Sequence, residues 1–328
     1  MHLYLDWKAL TTSVVLVFHV FFVICQDKSL PYEDYRDKLV LYTDIGYNTA
    51  PFNVRFPFSS ELEQINYRNN YRTIIGIGVA WKWLALRVGI PVFNRYRSNE
   101  LFTKSDQLNL SADYEYKHWF FEGNLNLTRG YAALNASQWD QNSLSENELF
   151  PNLLSYNVSM GTWYFKNKDF KINALLGKRA RYLREVKSWY LKGAMNIFGL
   201  DNLNHTILPN VLCTPSATRT YAQSIGALDV GLIPGFAYVN AINNWQISSW
   251  FGLGGVIQFK GYTSTTGINR VFLGLAPRYD FRFLGGYTSR DFFAFLVSDF
   301  DNKSMTFNNL SFNQYFYSIQ LLLGKRFN

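Results

Sequence analysis

Three acids fall close together in residues 107–128: Asp113, Glu115 and Glu122. Neighbouring carboxylates can share a proton, hold a cation or answer a guanidinium, depending on what faces them. If the stretch folds as a hairpin about Lys117-His118, Asp113 lies directly opposite Glu122. Like charges so opposed are unfavourable, and something must offset them. The candidates are Arg87, the Arg278/Arg282 pair with Asp280 between, a bound cation, or protonation of one acid. Arg87 is expected opposite Gly78, which would leave it room to reach inward. A second charged group is basic: Lys178, Arg179, Arg181, Arg184 and Lys187, interrupted by Glu185. On an outer rim, such a run could bind lipopolysaccharide phosphates. Catalytic chemistry is poorly provided for. Beyond residue 25 the histidines are His118, in a turn beside Trp119, and His205, in a polar loop near Asp201. A hydrolase needs a nucleophile and base held together, and neither histidine has that setting. Cys213 reads as an inert small residue, no ligand spacing marks a metal site, and no cofactor is implied. Gly76-Ile-Gly78 and Gly252-Leu-Gly-Gly255 lack the helix and Lys-Ser/Thr of a phosphate loop.

The elements that would hold these charges are strands. Leu108, Leu110, Ala112, Tyr114 and Tyr116 share one face of residues 107–116, and polar side chains take the other. After the turn, Trp119, Phe121, Gly123, Leu125 and Leu127 resume the apolar face. A two-residue turn pairs positions of constant sum, so Tyr116 meets Trp119, Tyr114 meets Phe121 and Leu110 meets Leu125. Residues 75–90 pass the same test about Lys82-Trp83, with Trp81 opposite Leu84, Val79 opposite Leu86 and Ile77 opposite Val88. Trp81, Trp83, Tyr114, Tyr116, Trp119 and Phe121 gather at turn ends, as amphipathic rings do where lipid meets water.

The whole chain agrees. In its 328 residues aromatics make up 18% and charged residues only 17%, below the usual quarter. Mean hydropathy is −0.12, and beyond residue 25 no apolar run approaches the roughly 20 residues of a membrane helix. This predicts an all-β chain, a single up-and-down antiparallel transmembrane β-barrel of 12–14 strands. Residues 1–25 read as a cleaved signal peptide, with Ser13–Ile24 apolar and Cys25 before the cut; lipidation of Cys25 is the rival reading. Residues 26–37 form a periplasmic lead and 38–328 the barrel. Extended segments follow at 39–47, 75–81, 84–90, 107–116, 119–128, 156–164, 170–176, 189–197, 225–239, 247–259, 273–283, 293–297 and 315–327. Longer loops are expected at 48–68, 94–104, 132–152 and 200–222. About thirteen segments is odd, whereas a barrel with both ends in the periplasm needs an even number. The parity fails between Gly177 and Gln223.

Trp163-Tyr-Phe-Lys-Asn-Lys-Asp-Phe170, Lys187-Ser-Trp-Tyr-Leu-Lys-Gly193, Gly231-Leu-Ile-Pro-Gly-Phe-Ala-Tyr-Val239 and Asn243-Asn-Trp245 resemble the Bacteroidetes-type outer-membrane family catalogued as domain of unknown function 4421. The resemblance covers roughly 38–328 and implies an outer-membrane barrel, with no catalytic residues. The ending, alternating to Phe327, resembles the signal read by the barrel assembly machinery. The net charge of +8 suits the anionic surface of a Gram-negative outer membrane better than nucleic acid. The expected function is a structural, transport or secretion-accessory barrel. The alternatives are a barrel enzyme acting on lipid or peptide, or a soluble secreted β-protein binding carbohydrate or a partner.

Overall fold

The computed structural model describes residues 30–59, 61–70, 73–92, 97–98, 100–141 and 145–328. The signal peptide and the start of the lead lie outside them. The strands are β1 (Tyr32–Asp34), β2 (Leu39–Thr49), β3 (Phe52–Arg55), β4 (Gln64–Asn69), β5 (Thr73–Trp81), β6 (Leu84–Pro91), β7 (Asp106–Tyr116), β8 (Trp119–Leu134), β9 (Asn147–Phe165), β10 (Ala180–Tyr182), β11 (Val186–Asp201), β12 (Ala222–Ile242), β13 (Trp245–Ser264), β14 (Asn269–Thr288), β15 (Phe292–Phe307) and β16 (Leu310–Phe327). One short helix, α1, spans Ile172–Leu176.

Fourteen strands form one antiparallel sheet, and the pairings β15–β16 and β7–β8 close it. The closed circuit is β2, β5, β6, β7, β8, β9, β11, β12, β13, β14, β15 and β16, with β16 returning to β2 through Phe327↔Leu39. The hairpin registers are those the alternation demands: Tyr116↔Trp119, Tyr114↔Phe121 and Leu110↔Leu125 in β7–β8, and Trp81↔Leu84 and Ile77↔Val88 in β5–β6. Lys82 and Lys117 take positive φ at these turns, as tight hairpin turns require. Along each wall, one face is buried and the other carries exposed apolar side chains such as Ile77, Leu86, Phe251 and Leu321. An apolar face turned outward around a closed sheet is a membrane barrel.

Two ends can be told apart. The turn end holds the tight turns at 82–83, 117–118 and 243–244 and the β2–β16 strand ends; the loop end holds the long loops. At the turn end an aromatic girdle runs round the outside: Trp83 against Tyr114, Tyr114 against Phe121, Trp119 against Tyr164, Trp189 against Phe236, and Trp245 against Tyr287. Trp81 and Tyr116 stand exposed beside it.

Three expectations are corrected. Residues 170–176 are not a strand. All five residues of α1 are buried, including Asn173, and Gly177 (φ 69) ends the helix in the left-handed region. Leu175 breaks the polar phase that a wall strand would need. Removing this segment leaves an even circuit, so the miscounted element lies just before Gly177 and not between Gly177 and Gln223 as expected. Residues 48–68 are not all loop: β3 and β4 prolong the β2–β5 hairpin, pairing β16 on one side and β8 on the other. Strands β8 and β9 likewise run on into residues 132–152. Within the lead, β1 pairs with β10, Tyr32↔Tyr182 to Asp34↔Ala180.

Candidate functional site

The barrel interior is filled at both ends. At the turn end α1 and β10 fold inward and pack with Phe120, Trp163, Tyr190, Trp250 and Phe293 from the wall. Arg326 fastens this plug: its Nε donates to the carbonyl of Lys178 at 2.8 Å, its Nη2 to the carbonyl of Gly177 and to Thr288 Oγ1 at 3.1 Å, and its Nη1 to Ser289. At the loop end the connection after β11 turns inward. Its Ile207 and Leu208 are buried among Phe52, Tyr67, Phe150, Phe198 and Phe307, and Tyr67 donates to the carbonyl of Ile207 at 2.9 Å.

Between the plugs lies a chamber of about 240 Å³. Asp113 and Glu122 line it, and Glu115 sits beside it against the turn-end plug. Asp113, opposite Glu122 as expected, accepts from Arg179 and lies 3.3 Å from Lys178. Glu115 lies 3.3 Å from Lys171 and accepts from Asn173 of α1. Glu122 accepts from Arg282 across the barrel at 2.9 and 3.1 Å, and from Asn124 at 2.8 Å. Arg282 also donates to Asp299. Asp280 gathers Lys192 at 2.9 Å, Tyr190 at 3.0 Å and Trp163 at 3.2 Å.

Three placements differ from the sequence reading. Arg87 does not reach Asp113 or Glu122. It crosses β5 to Asp44 of β2, with Nε–Oδ2 2.5 Å and Nη2–Oδ1 2.6 Å. Gly76, not Gly78, makes that crossing possible, because a Cβ there would overlap both side chains; Gly78 instead accommodates the ring of Tyr42. Arg278 pairs with Asp229, at 2.7 Å from Nε. The basic run is not an outer rim. It leaves β9 at the turn end and turns inward. Arg179 is fully buried and Lys178 lies in the chamber wall, both serving Asp113, while Arg181 donates to Glu33 of β1 at 2.9 Å and to Asn244 at 2.6 Å. Arg184 and Lys187 are the half-buried remainder at the same end. A stack of buried acids drew these cations inside, since an unpaired buried charge is costly.

Asp44, Asp229, Asp299, Lys171, Lys192 and Arg326 were not found from sequence. Each occupies the inward phase of its strand or lies beside the plug, so the alternation could have flagged the strand residues, though not their partners. His118 and His205 are exposed. The Asp201 carboxylate accepts from the backbone of Leu203. Among the described residues, no group of three potential metal ligands comes together.

Fold and interior together define a transmembrane β-barrel with a plugged, charge-lined lumen. The chain belongs to the family described as domain of unknown function 4421 (DUF4421), whose model matches residues 31–327. No curated protein matches. Among solved structures it is similar to the toluene transporter TodX of Pseudomonas putida, at 9% identity over 89% of this chain and 90% of that one, with a TM-score of 0.29. It is also similar to the TodX deltaS2S3 mutant, described as a monoaromatic hydrocarbon channel, at 9% identity over 89% and 91% with a TM-score of 0.31.

Proposed function

We propose that the protein is a non-catalytic outer-membrane barrel of structural or accessory role, with no open axial pore in its resting state. The observation that carries this is the filling of both ends: α1 and β10 at the turn end, and the loop bearing Ile207 and Leu208 at the other. A porin keeps a water-filled lumen, whereas a plugged barrel spends its interior on side-chain networks. In this reading the turn end faces the periplasm and the girdle marks that interface. Strand β16 alternates to an outward Phe327, which suits delivery by the barrel assembly machinery. The test is planar-bilayer recording of the purified full chain. The expected result is no steady conductance, and a stable open level in the unaltered protein would overturn the proposal.

A further inference from the structure

The backbone pairing of the barrel wall is not continuous all the way up. Strand β14 pairs with β13 from Asn269 to Tyr287, but with β15 only from Phe281↔Phe300 to Thr288↔Phe293. Above that point β15 pairs only with β16. The sequence explains the parting. The same register carried on would set Asp280 opposite Asp301 and Arg278 opposite Lys303, two like-charge pairs in succession. Just beyond them it would set Pro277, which has no N–H to give, opposite Ser304.

The backbone freed by the parting is met by side chains. Arg278 Nη1 donates to the carbonyl of Pro277 at 2.9 Å, and Gln258 Nε2 donates to the carbonyl of Ser304 at 2.9 Å. Asp229 holds both donors, taking Arg278 Nε at 2.7 Å and Gln258 Nε2 at 3.0 Å. Higher up, Phe272 and Phe307 close the gap with rings 5.7 Å apart. The result is an eyelet in the backbone, filled by the buried side chains of Ala276, Arg278, Lys303 and Met305, between the Phe281–Phe300 pair below and the Phe272–Phe307 contact above. Its β14 edge is bare: Val271 and Leu275 are 80% and 83% exposed, against 70% for Ile77, an outward side chain in a strand paired on both sides. In lipid an unpaired strand edge is expensive, so a parting met by dedicated side chains is a built feature. The chamber abuts it, for Asp280, Phe281, Phe300 and Asp301 line both.

We propose that the chamber is reached sideways, through this β14–β15 eyelet, by a small neutral hydrogen-bonding solute. The neutral class follows from the lining. Asp44, Asp113, Glu122, Asp280, Asp299 and Asp301 all contact cations of the protein, Glu122 and Asp299 sharing Arg282 and Asp113 taking both Lys178 and Arg179, so acids and cations balance and no net charge is left to select an ion. What is left unmet is amide: Asn109 Nδ2, a donor, and Asn157 Oδ1, an acceptor, are buried chamber atoms without a partner. This rests on the membrane-barrel reading but not on the absence of an axial conductance.

The experiment uses the full chain with Cys25 and Cys213 replaced by Ser and a reporter, Ser159→Cys, in the chamber wall. The probes are small thiosulfonates of neutral, positive and negative charge. The expected result is labelling of the reporter in detergent-folded barrel, about tenfold faster with the neutral reagent than with either charged one. Ala276→Trp, which places a ring in the eyelet, slows labelling at least tenfold. A Leu275→Cys/Thr306→Cys disulfide does the same reversibly, and heat-modifiable mobility shows in both cases that the barrel has folded. No labelling of the reporter, or unchanged labelling with the eyelet obstructed, overturns the route. A charged reagent labelling fastest overturns the solute class. A steady axial conductance with labelling still blocked at the eyelet would defeat the proposed function and leave the route standing.

Discussion

Replacing Arg326 with Ala should release the turn-end plug while leaving the wall intact. The guanidinium is buried, and two of its hydrogen bonds go to the carbonyls of Gly177 and Lys178, the residues that end α1 and lead into β10. Its face also lies over the ring of Tyr35 at 4.6 Å, so the same side chain holds the segment that follows β1. A hydrogen bond to a charged group contributes roughly 1.5–3 kcal/mol. Two such bonds lost to the plug, partly made good by water, amount to about 3 kcal/mol, which is roughly a hundredfold rise in the population of the undocked plug. The wall keeps its pairing, because Arg326↔Val40 is a backbone register. The segment carries Lys178, Arg179, Arg181 and Arg184, so trypsin is a direct probe. The expected result is cleavage within 178–184 at least tenfold faster in Arg326→Ala, with heat-modifiable mobility retained. Arg326→Lys, which keeps the charge but not the fork, should fall between. An unchanged cleavage rate in a folded barrel would refute the argument that Arg326 fastens the plug.

Three further outcomes follow from single features. Gly130 has φ +89 where β8 leaves β7 and pairs with β4, and a Cβ there would overlap the carbonyl oxygen of Lys104; Gly130→Ala should cost at least about 1–2 kcal/mol, read as a lowered midpoint of urea unfolding in detergent. Asp44→Ala leaves Arg87 buried without its carboxylate and should cost about 3–5 kcal/mol, whereas the double change with Arg87→Ala should recover much of that loss; equal loss in single and double variants would count against the pair. At the plug, hydrogen bonding by Tyr35, opposed by desolvation and aided by Arg181, holds Glu33 below the usual glutamate range. A lowered acid stabilises the docked state above its undocked pKa, and that support is lost as pH falls through the docked value. The hydrogen-exchange protection of residues 31–36, taken relative to the intrinsic rate at each pH, should therefore be flat above about pH 5 and fall at lower pH; a Glu33→Gln variant should lose that dependence.

What could be read from the chain was what lipid imposes. An outward side chain meets hydrocarbon whatever its neighbours are, so Ile77, Leu86, Leu110 and Tyr116 declare their face by type and spacing alone. Hairpin register follows from the same alternation plus a short turn, which is why β5–β6 and β7–β8 were legible residue by residue. The interior obeys no such local rule. Asp113 finds Arg179, 66 positions on, and Glu122 finds Arg282, 160 positions on, and those meetings exist only once the circuit has closed. Arg282 is among the sequence candidates for Glu122 and does meet it, but nothing in the chain singles it out over Arg87 or Arg278, and the basic run stands out as charge without pointing to Asp113.

The plug was misread for a related reason. Phe170, Ile172, Ala174 and Leu176 alternate like a wall strand, and spacing alone cannot separate a strand face from one buried turn of helix. The discriminating residues were the ones between. A wall strand next to this chamber would offer polar side chains at every second place, yet Leu175 is apolar, and the following Gly177 suits a helix end rather than a strand. The β14–β15 parting is the converse case. Pro277, the Arg278–Asp280 spacing and the matching Asp301–Lys303 spacing are all visible in the chain, and each is unremarkable in its own strand. They become an instruction to separate only when the Phe281↔Phe300 register sets them face to face. Charge order in neighbouring strands thus decides where this barrel stays zipped, just as apolar order decides which way its strands face.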